Sequence, residues 1–95
     1  MSLECIHDSR YLFWAEVSNW NFNMPTSDVF LTDLAGRNRK HLGSFRSMNV
    51  SGLALDMVRR RLYMSDQHKH TIECTNYEGK DKYSVASAEV RSVNY

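Results

Sequence analysis

The sequence predicts an all-β chain, and three observations carry that prediction. No stretch repeats apolar residues at helical spacing, Gly, Asn, Asp and Ser mark turns at short intervals, and one pattern of strands occurs twice. At 95 residues the chain makes at most one small domain, and a chain of this size buries only about 60 to 65% of its unfolded surface. Hydrophobic residues at 42% and charged residues at 24% are ordinary for a globular protein.

In chain order, residues 3–6 make a first short strand, His7-Asp8-Ser9-Arg10 a tight turn, and 11–16 a second strand, Tyr-Leu-Phe-Trp-Ala-Glu. Residues 17–27, with the one proline at Pro25, read as a long polar and aromatic loop. The stretch 28–34 alternates through Val29, Leu31 and Asp33, and Ala35-Gly36-Arg37-Asn38 turns it into a fourth strand at 39–42. The same series then recurs. Strands are expected at 50–56, 62–66, 71–76 and 82–85, with the basic turn Arg59-Arg60-Arg61 after the first and Glu78-Gly79-Lys80-Asp81 after the third.

Subtraction tests the recurrence. Val29, Thr32, Leu34, Gly36 and Leu42 map onto Ile72, Thr75, Tyr77, Gly79 and Val85 with a constant offset of 43. Leu12-Phe13 maps onto Leu62-Tyr63 with an offset of 50, which leaves seven extra residues in the 17–27 segment of the first copy. The recurring glycines have a physical reason, because a short hairpin turn needs a residue with positive φ. A four-stranded unit repeating at this period is the signature of a propeller blade. The predicted architecture is therefore two four-stranded antiparallel blades of a partial β-propeller, with 1–45 the first blade, 46–88 the second and 89–95 the stub of a third.

These residues resemble the YWTD, or class B, repeats of the low-density lipoprotein receptor family. The resemblance rests on Leu53-Ala54-Leu55-Asp56, Leu62-Tyr63-Met64-Ser65-Asp66, Ile72-Glu73 and Glu78-Gly79 in the second copy. In the first copy it rests on Leu12-Phe13-Trp14-Ala15-Glu16, Leu34-Ala35-Gly36 and Arg37-Asn38-Arg39-Lys40. Trp14 is kept where the second copy has Met64, and the closing acid is Glu16 in one copy and Asp66 in the other. The resemblance implies blades of a six-bladed ring, in a non-catalytic extracellular module of a receptor that binds protein ligands and cycles through endosomes. It further implies neighbouring propeller blades or EGF-like modules as partners. An assembly of three copies into one ring is the alternative to a fragment of a longer chain.

Net charge of +1 argues against a dedicated nucleic-acid binder, and no apolar run reaches the roughly 18 residues of a membrane span. The basic clusters read as solvated turns paired with carboxylates such as Asp33 or Glu73. Cys5 and Cys74 fall in no metal pattern, so a disulfide between them is possible without being required. No cofactor is expected.

Strand order sorts the connections. Antiparallel strands put the turns after first and third strands at one end of a blade and the remaining connections at the other. The second end collects the 17–27 loop, the Gln67-His68-Lys69-His70 turn and the connections 43–49 and 86–91. Trp20, Phe22 and Met24 are the candidate contacts for a protein ligand, since aromatic side chains dominate binding hot spots; the competing reading folds Trp20 and Phe22 back as a lid. His68 and His70 are further candidates, although two histidines without a third ligand make a poor metal site. Acid-triggered ligand release, implied by the family, would draw on His7, His41, His68 or His70. Asn49-Val50-Ser51 is a glycosylation sequon. The alternative functions are a calcium-dependent lactonase-like propeller enzyme, for which the inner strands offer only Glu4 and Asp56, and a purely structural fragment.

Overall fold

A computed structural model describes residues 2–21 and 24–86, with side chains at 5–18 and 25–85. Eight strands follow one another: β1 (Ser2–His7), β2 (Tyr11–Asn21), β3 (Met24–Asp33), β4 (Lys40–Arg46), β5 (Val50–Asp56), β6 (Arg61–Asp66), β7 (Thr71–Asn76) and β8 (Tyr83–Ala86). They form two four-stranded antiparallel sheets in simple sequential order, β1-β2-β3-β4 and β5-β6-β7-β8. The predicted pair of blades is what the chain forms. The possible third-blade strand at 89–95 lies outside the described residues.

The repeat is reproduced in detail. Phe13 stands opposite Leu31 and Tyr63 opposite Cys74, as the two offsets require. The outer strand pair of each sheet has its register shift at the same place, between Val29 and Phe30 in one and between Ile72 and Glu73 in the other. The β3–β4 and β7–β8 turns are also copies. Asp33 Oδ1 accepts the N–H groups of Ala35 and Arg37 at 3.1 and 2.7 Å, and Asn76 Oδ1 accepts those of Glu78 and Lys80, both at 2.9 Å. Gly36 and Gly79 take φ of 80° and 78°, and Asn38 and Asp81 follow with φ of 57° and 54°. Asp and Asn tolerate this left-handed region better than most residues, which fits their use two positions after each glycine.

One sheet packs flat on the other. Alternation along β2 sends Phe13, Ala15 and Val17 to the shared side, each fully or almost fully buried, where Val29 and Leu31 of β3 join them. From the second sheet come Leu62 and Met64 of β6, with Leu55 and Leu53 opposite them and half-buried at the edge of the core. Close approach between the sheets is concentrated where β5 meets β1 and β2. The sheets therefore meet at their inner strands, as neighbouring propeller blades do. Burying a side chain the size of Phe13, Leu62 or Met64 stabilises by about 1.5–3 kcal/mol each.

Four details differ from the sequence expectations. The segment 17–27 is a hairpin rather than a loop: β2 continues to Asn21 and β3 begins at Met24, with a register shift between Ser18 and Asn21. Val17 and Ser27 still alternate inward, so the insertion lengthens two strands, and Pro25 is the second residue of β3, beside the shift, where a missing N–H breaks no regular ladder. The fourth strand extends to Arg46 because Phe45 packs against the core, which shortens the connection to residues 47–49. Arg61 belongs to β6, not to the preceding turn. Carboxylate partners also differ: Arg59 pairs with Asp56 at 3.7 Å and Arg61 with Asp81 at 3.1 Å, while Asp33 caps its own turn and Glu73 accepts the Ser84 hydroxyl at 3.0 and 3.1 Å.

Cys5 and Cys74 are both free thiols. The pairing register puts Cys5 beside Trp14 on the outward side of the first sheet, while Cys74 shares the outward side of the second with Tyr63 and Tyr83. Cys74 is nevertheless fully buried, because Arg61 donates from Nε to its Sγ at 3.1 Å and stacks over the Tyr83 ring at 4.9 Å.

Candidate ligand-binding site

At the end of the molecule that holds the 47–49 connection and the 67–70 turn, the backbone is fixed from both sheets. Ser27 Oγ on β3 donates to the Met48 carbonyl at 2.7 Å and accepts the Val50 N–H at 3.1 Å, and the Met48 N–H reaches the Pro25 carbonyl at 3.2 Å. Met48 itself is buried, so the connection is pinned to the core by a side chain as well as by hydrogen bonds.

Asp66, at the end of β6, does the corresponding work in the second sheet. Its Oδ1 accepts the N–H groups of His68 at 2.9 Å, Asn49 at 3.0 Å and Lys69 at 3.3 Å, and the Gln67 N–H donates to the Asn49 carbonyl at 2.9 Å. One carboxylate, 2% exposed, therefore ties the turn above it to the connection beside it. Its Oδ2 and the hydroxyl of Thr71, its cross-strand partner, have no hydrogen-bond partner among the described residues. In the first sheet the corresponding acid is Glu16, which instead accepts the Trp14 indole N–H at 3.0 Å.

His68 and His70 stand on the 67–70 turn, both exposed, with His70 at φ 58°. Asn49 is half-buried, with its backbone N–H and carbonyl both engaged. Trp20 lies in β2 and Met24 opens β3, so both belong to the hairpin end that meets the 47–49 connection, but their side chains, and all of Phe22, lie outside the described residues. The structure thus brings His68, His70 and Asn49 around one fixed base.

A second cluster was not legible in the sequence. On the outward side of the first sheet, Trp14 stacks on Phe30 with centroids 5.1 Å apart and planes 19° apart, and the Arg39 guanidinium covers them at 5.6 and 4.6 Å. His41 lies against Phe30 and sets its Nε2 3.2 Å from Asp28 Oδ1, and Ser44 hydrogen-bonds the same carboxylate oxygen. Ser, His and Asp are therefore together, but not as a relay. Nε2 of His41 faces both Asp28 and Ser44, the latter at 3.3 Å, and Ser44 donates directly to the carboxylate, so no second imidazole nitrogen connects acid to nucleophile. Beside this stack lies an open depression of about 430 Å³, lined by Cys5, Leu12, Trp14, Glu16, Thr32 and Arg39 among others. Among the described residues no group of three or more His, Cys, Asp and Glu could hold a metal ion.

At the opposite end a clasp joins the sheets. Asp8 Oδ1 accepts the N–H groups of Arg10 and Tyr11, both at 2.7 Å, and its Oδ2 accepts the Tyr77 hydroxyl of the other sheet at 3.3 Å. Arg60 lies over the Tyr77 and Tyr11 rings at 4.9 and 5.9 Å. Burial acts to raise the Asp8 pKa, but the two N–H groups, the Tyr77 hydroxyl and Arg60 outweigh it and hold the carboxyl below its ordinary value. Tyr77 moves upward, first through burial and then through the Asp8 charge.

No family model matches the chain. Over 77 residues, 81% of its length, the chain is 36% identical to a vitellogenin receptor of Solenopsis invicta. It spans only 4% of that receptor's length. The similarity supports a relation to the low-density lipoprotein receptor family, and the relative carries the name of a receptor.

Proposed function

We propose that the chain is a pair of adjacent YWTD-type blades in the extracellular part of a receptor, and that it takes part in binding a protein ligand without catalysing a reaction. The observation that carries the reading is the similarity to a receptor over most of this chain, set on two stacked sheets whose connections gather at one fixed end. The ligand surface we assign is the end built on Ser27, Met48 and Asp66, with Trp20, Phe22, Met24, His68 and His70 as its contacts. A backbone held at several points is a suitable base for such a surface, because little ordering entropy remains to be lost on binding.

The outward faces fit further blades of a six-bladed ring. Leu12 and Trp14 occupy the positions of Leu62 and Met64, which are buried between the sheets, so a preceding blade would cover the Trp14 face by the contact already made once in this chain. We assign the module to the extracellular side of a membrane receptor that passes through endosomes, with Asn49 glycosylated. No helix among the described residues is long and apolar enough to cross a membrane.

The test is surface plasmon resonance of the full chain against vitellogenin, comparing the parent with Trp20→Ala and monitoring the fold by circular dichroism. A loss of affinity of about tenfold or more with the fold intact supports the contact role. Unchanged affinity, or unfolding of the variant, removes Trp20 from the site.

A further inference from the structure

The depression on the outward side of the first sheet repeats the footprint that the first sheet leaves on the second. Six of its lining residues are Leu12, Trp14, Glu16, Thr32, Gly36 and Arg39. At the repeat offsets of 50 and 43 their counterparts are Leu62, Met64, Asp66, Thr75, Gly79 and Lys82. Every counterpart takes part in the seam between the sheets. Leu62 and Met64 lie in the shared core, and Thr75 is buried opposite Leu62. Asp66 accepts the Asn49 N–H of the connection from the first sheet, Gly79 lies against the Leu42 backbone, and Lys82 Nζ is 5.1 Å from the Phe45 ring centroid. On the first sheet the same places are open. A Cβ at Gly36 meets no atom of the described residues within 4 Å. Leu34 is 55% exposed, whereas its counterpart Tyr77, with its ring centroid 4.7 Å from that of Phe13, is 7% exposed.

The outward side of the second sheet carries the other half of the same contact. Phe13, Val29 and Leu42 face the seam from the first sheet, and the repeat sets their counterparts Tyr63, Ile72 and Val85 on the side of the second sheet that faces away from it. Val85 is 51% exposed there. We propose that the chain associates head-to-tail with a second copy of itself, the outward side of one copy's second sheet seating on the outward side of the other's first sheet. Tyr63 of one copy then meets Leu34 of the other as Phe13 meets Tyr77, and Val85 lies over Gly36 as Leu42 lies over Gly79. Leu34, Trp14 and Val85 leave water together, which drives the association. The contact is heterologous, with a different face used on each copy, because the pairing that the fold already makes is between unlike faces. The proposal rests on the reading of the sheets as adjacent blades, and in a longer receptor flanking blades take the same two faces.

The test is sedimentation velocity of the full chain over a concentration series, with thiols kept reduced so that the exposed Cys5 forms no intermolecular disulfide. The parent should exceed the monomer mass increasingly with concentration, and amide shifts in the same series should fall on residues 34–36 and 83–85 rather than on 47–49 and 67–70. Leu34→Asp and Val85→Asp, both at exposed positions, should each weaken association at least about tenfold, because the contact buries the new charge without a partner. Mixed in equal amounts, the two variants should recover a complex that stops at two copies, since each keeps the face that the other has lost. A parent that stays monomeric, self-association retained by either variant alone, or no complex in the mixture overturns the proposal. The coupling between Phe13 and Tyr77 within one copy reads the blade packing separately, so its presence in a chain that stays monomeric rejects the self-association and leaves the blade reading standing.

Discussion

Gly36 and Gly79 are the same residue in two copies of one turn, with φ of 80° and 78°, yet they differ in surroundings. A side chain at Gly36 meets open space, whereas a Cβ at Gly79 runs into the Leu42 backbone of the other sheet, 2.9 Å from its carbonyl carbon. Gly36→Ala should cost about 1 kcal/mol from the left-handed backbone alone. Gly79→Ala should cost roughly 2–3 kcal/mol, since it adds a clash across the interface. Urea unfolding of the two variants checks this, and equal losses would mean that the 77–80 turn does not press on β4. The recurrence of both glycines was plain from the sequence, but the difference between them needed the second sheet to be in place. Asp8 makes a pH-dependent case. Its folded pKa lies below the ordinary 3.8, so the stability it contributes is present above that value and is lost as pH falls through the folded pKa. The stability gap between the parent and Asp8→Asn should therefore stay constant from pH 7 to 5 and close in more acidic solution, read by thermal melts. A gap that changes between pH 7 and 5 would place the titration elsewhere.

At the scale of elements, the eight strands were legible because turn residues bound each one and apolar residues alternate within them. The exceptions have physical causes. The long β2–β3 hairpin is rich in Asn and Ser and contains Pro25, which is loop composition, and the inward positions Val17, Pro25 and Ser27 that keep the strand period include only one strand-forming apolar residue. The association of Asp28, His41 and Ser44 depends on a register shift in β3–β4 that no spacing rule anticipates. Asp66 was visible as the closing acid of a motif, but its bond to the Asn49 N–H joins residues brought together only by folding. Removing this carboxylate leaves three N–H groups without their acceptor. Asp66→Ala should cost roughly 2–3 kcal/mol, and amide exchange should accelerate at Asn49, His68 and Lys69 before the β2 and β6 amides. Uniform acceleration along the chain would show that Asp66 supports the core and not specifically this end. Of the candidate site, the histidine turn and the Asn49 sequon were readable from the residues, while the base that supports them was not.

For the whole molecule, the pairing of a four-stranded sheet with its copy explains most of what is conspicuous in the chain. Phe13, Ala15 and Val17 are buried because Leu62 and Met64 lie opposite, and the clasp of Asp8, Tyr77 and Arg60 closes the same seam at one end. The connections pinned by Ser27 and Asp66 make the proposed ligand surface at the other end of the same seam. That assignment depends on the two sheets being packed as adjacent blades. The most direct test is a double-mutant cycle across the seam between Phe13 and Tyr77, whose ring centroids are 4.7 Å apart at 61°. With Phe13→Leu and Tyr77→Leu measured singly and together by equilibrium unfolding, the packing described predicts a coupling of about 0.5–1.5 kcal/mol. Strictly additive losses would contradict the stacked pair of blades.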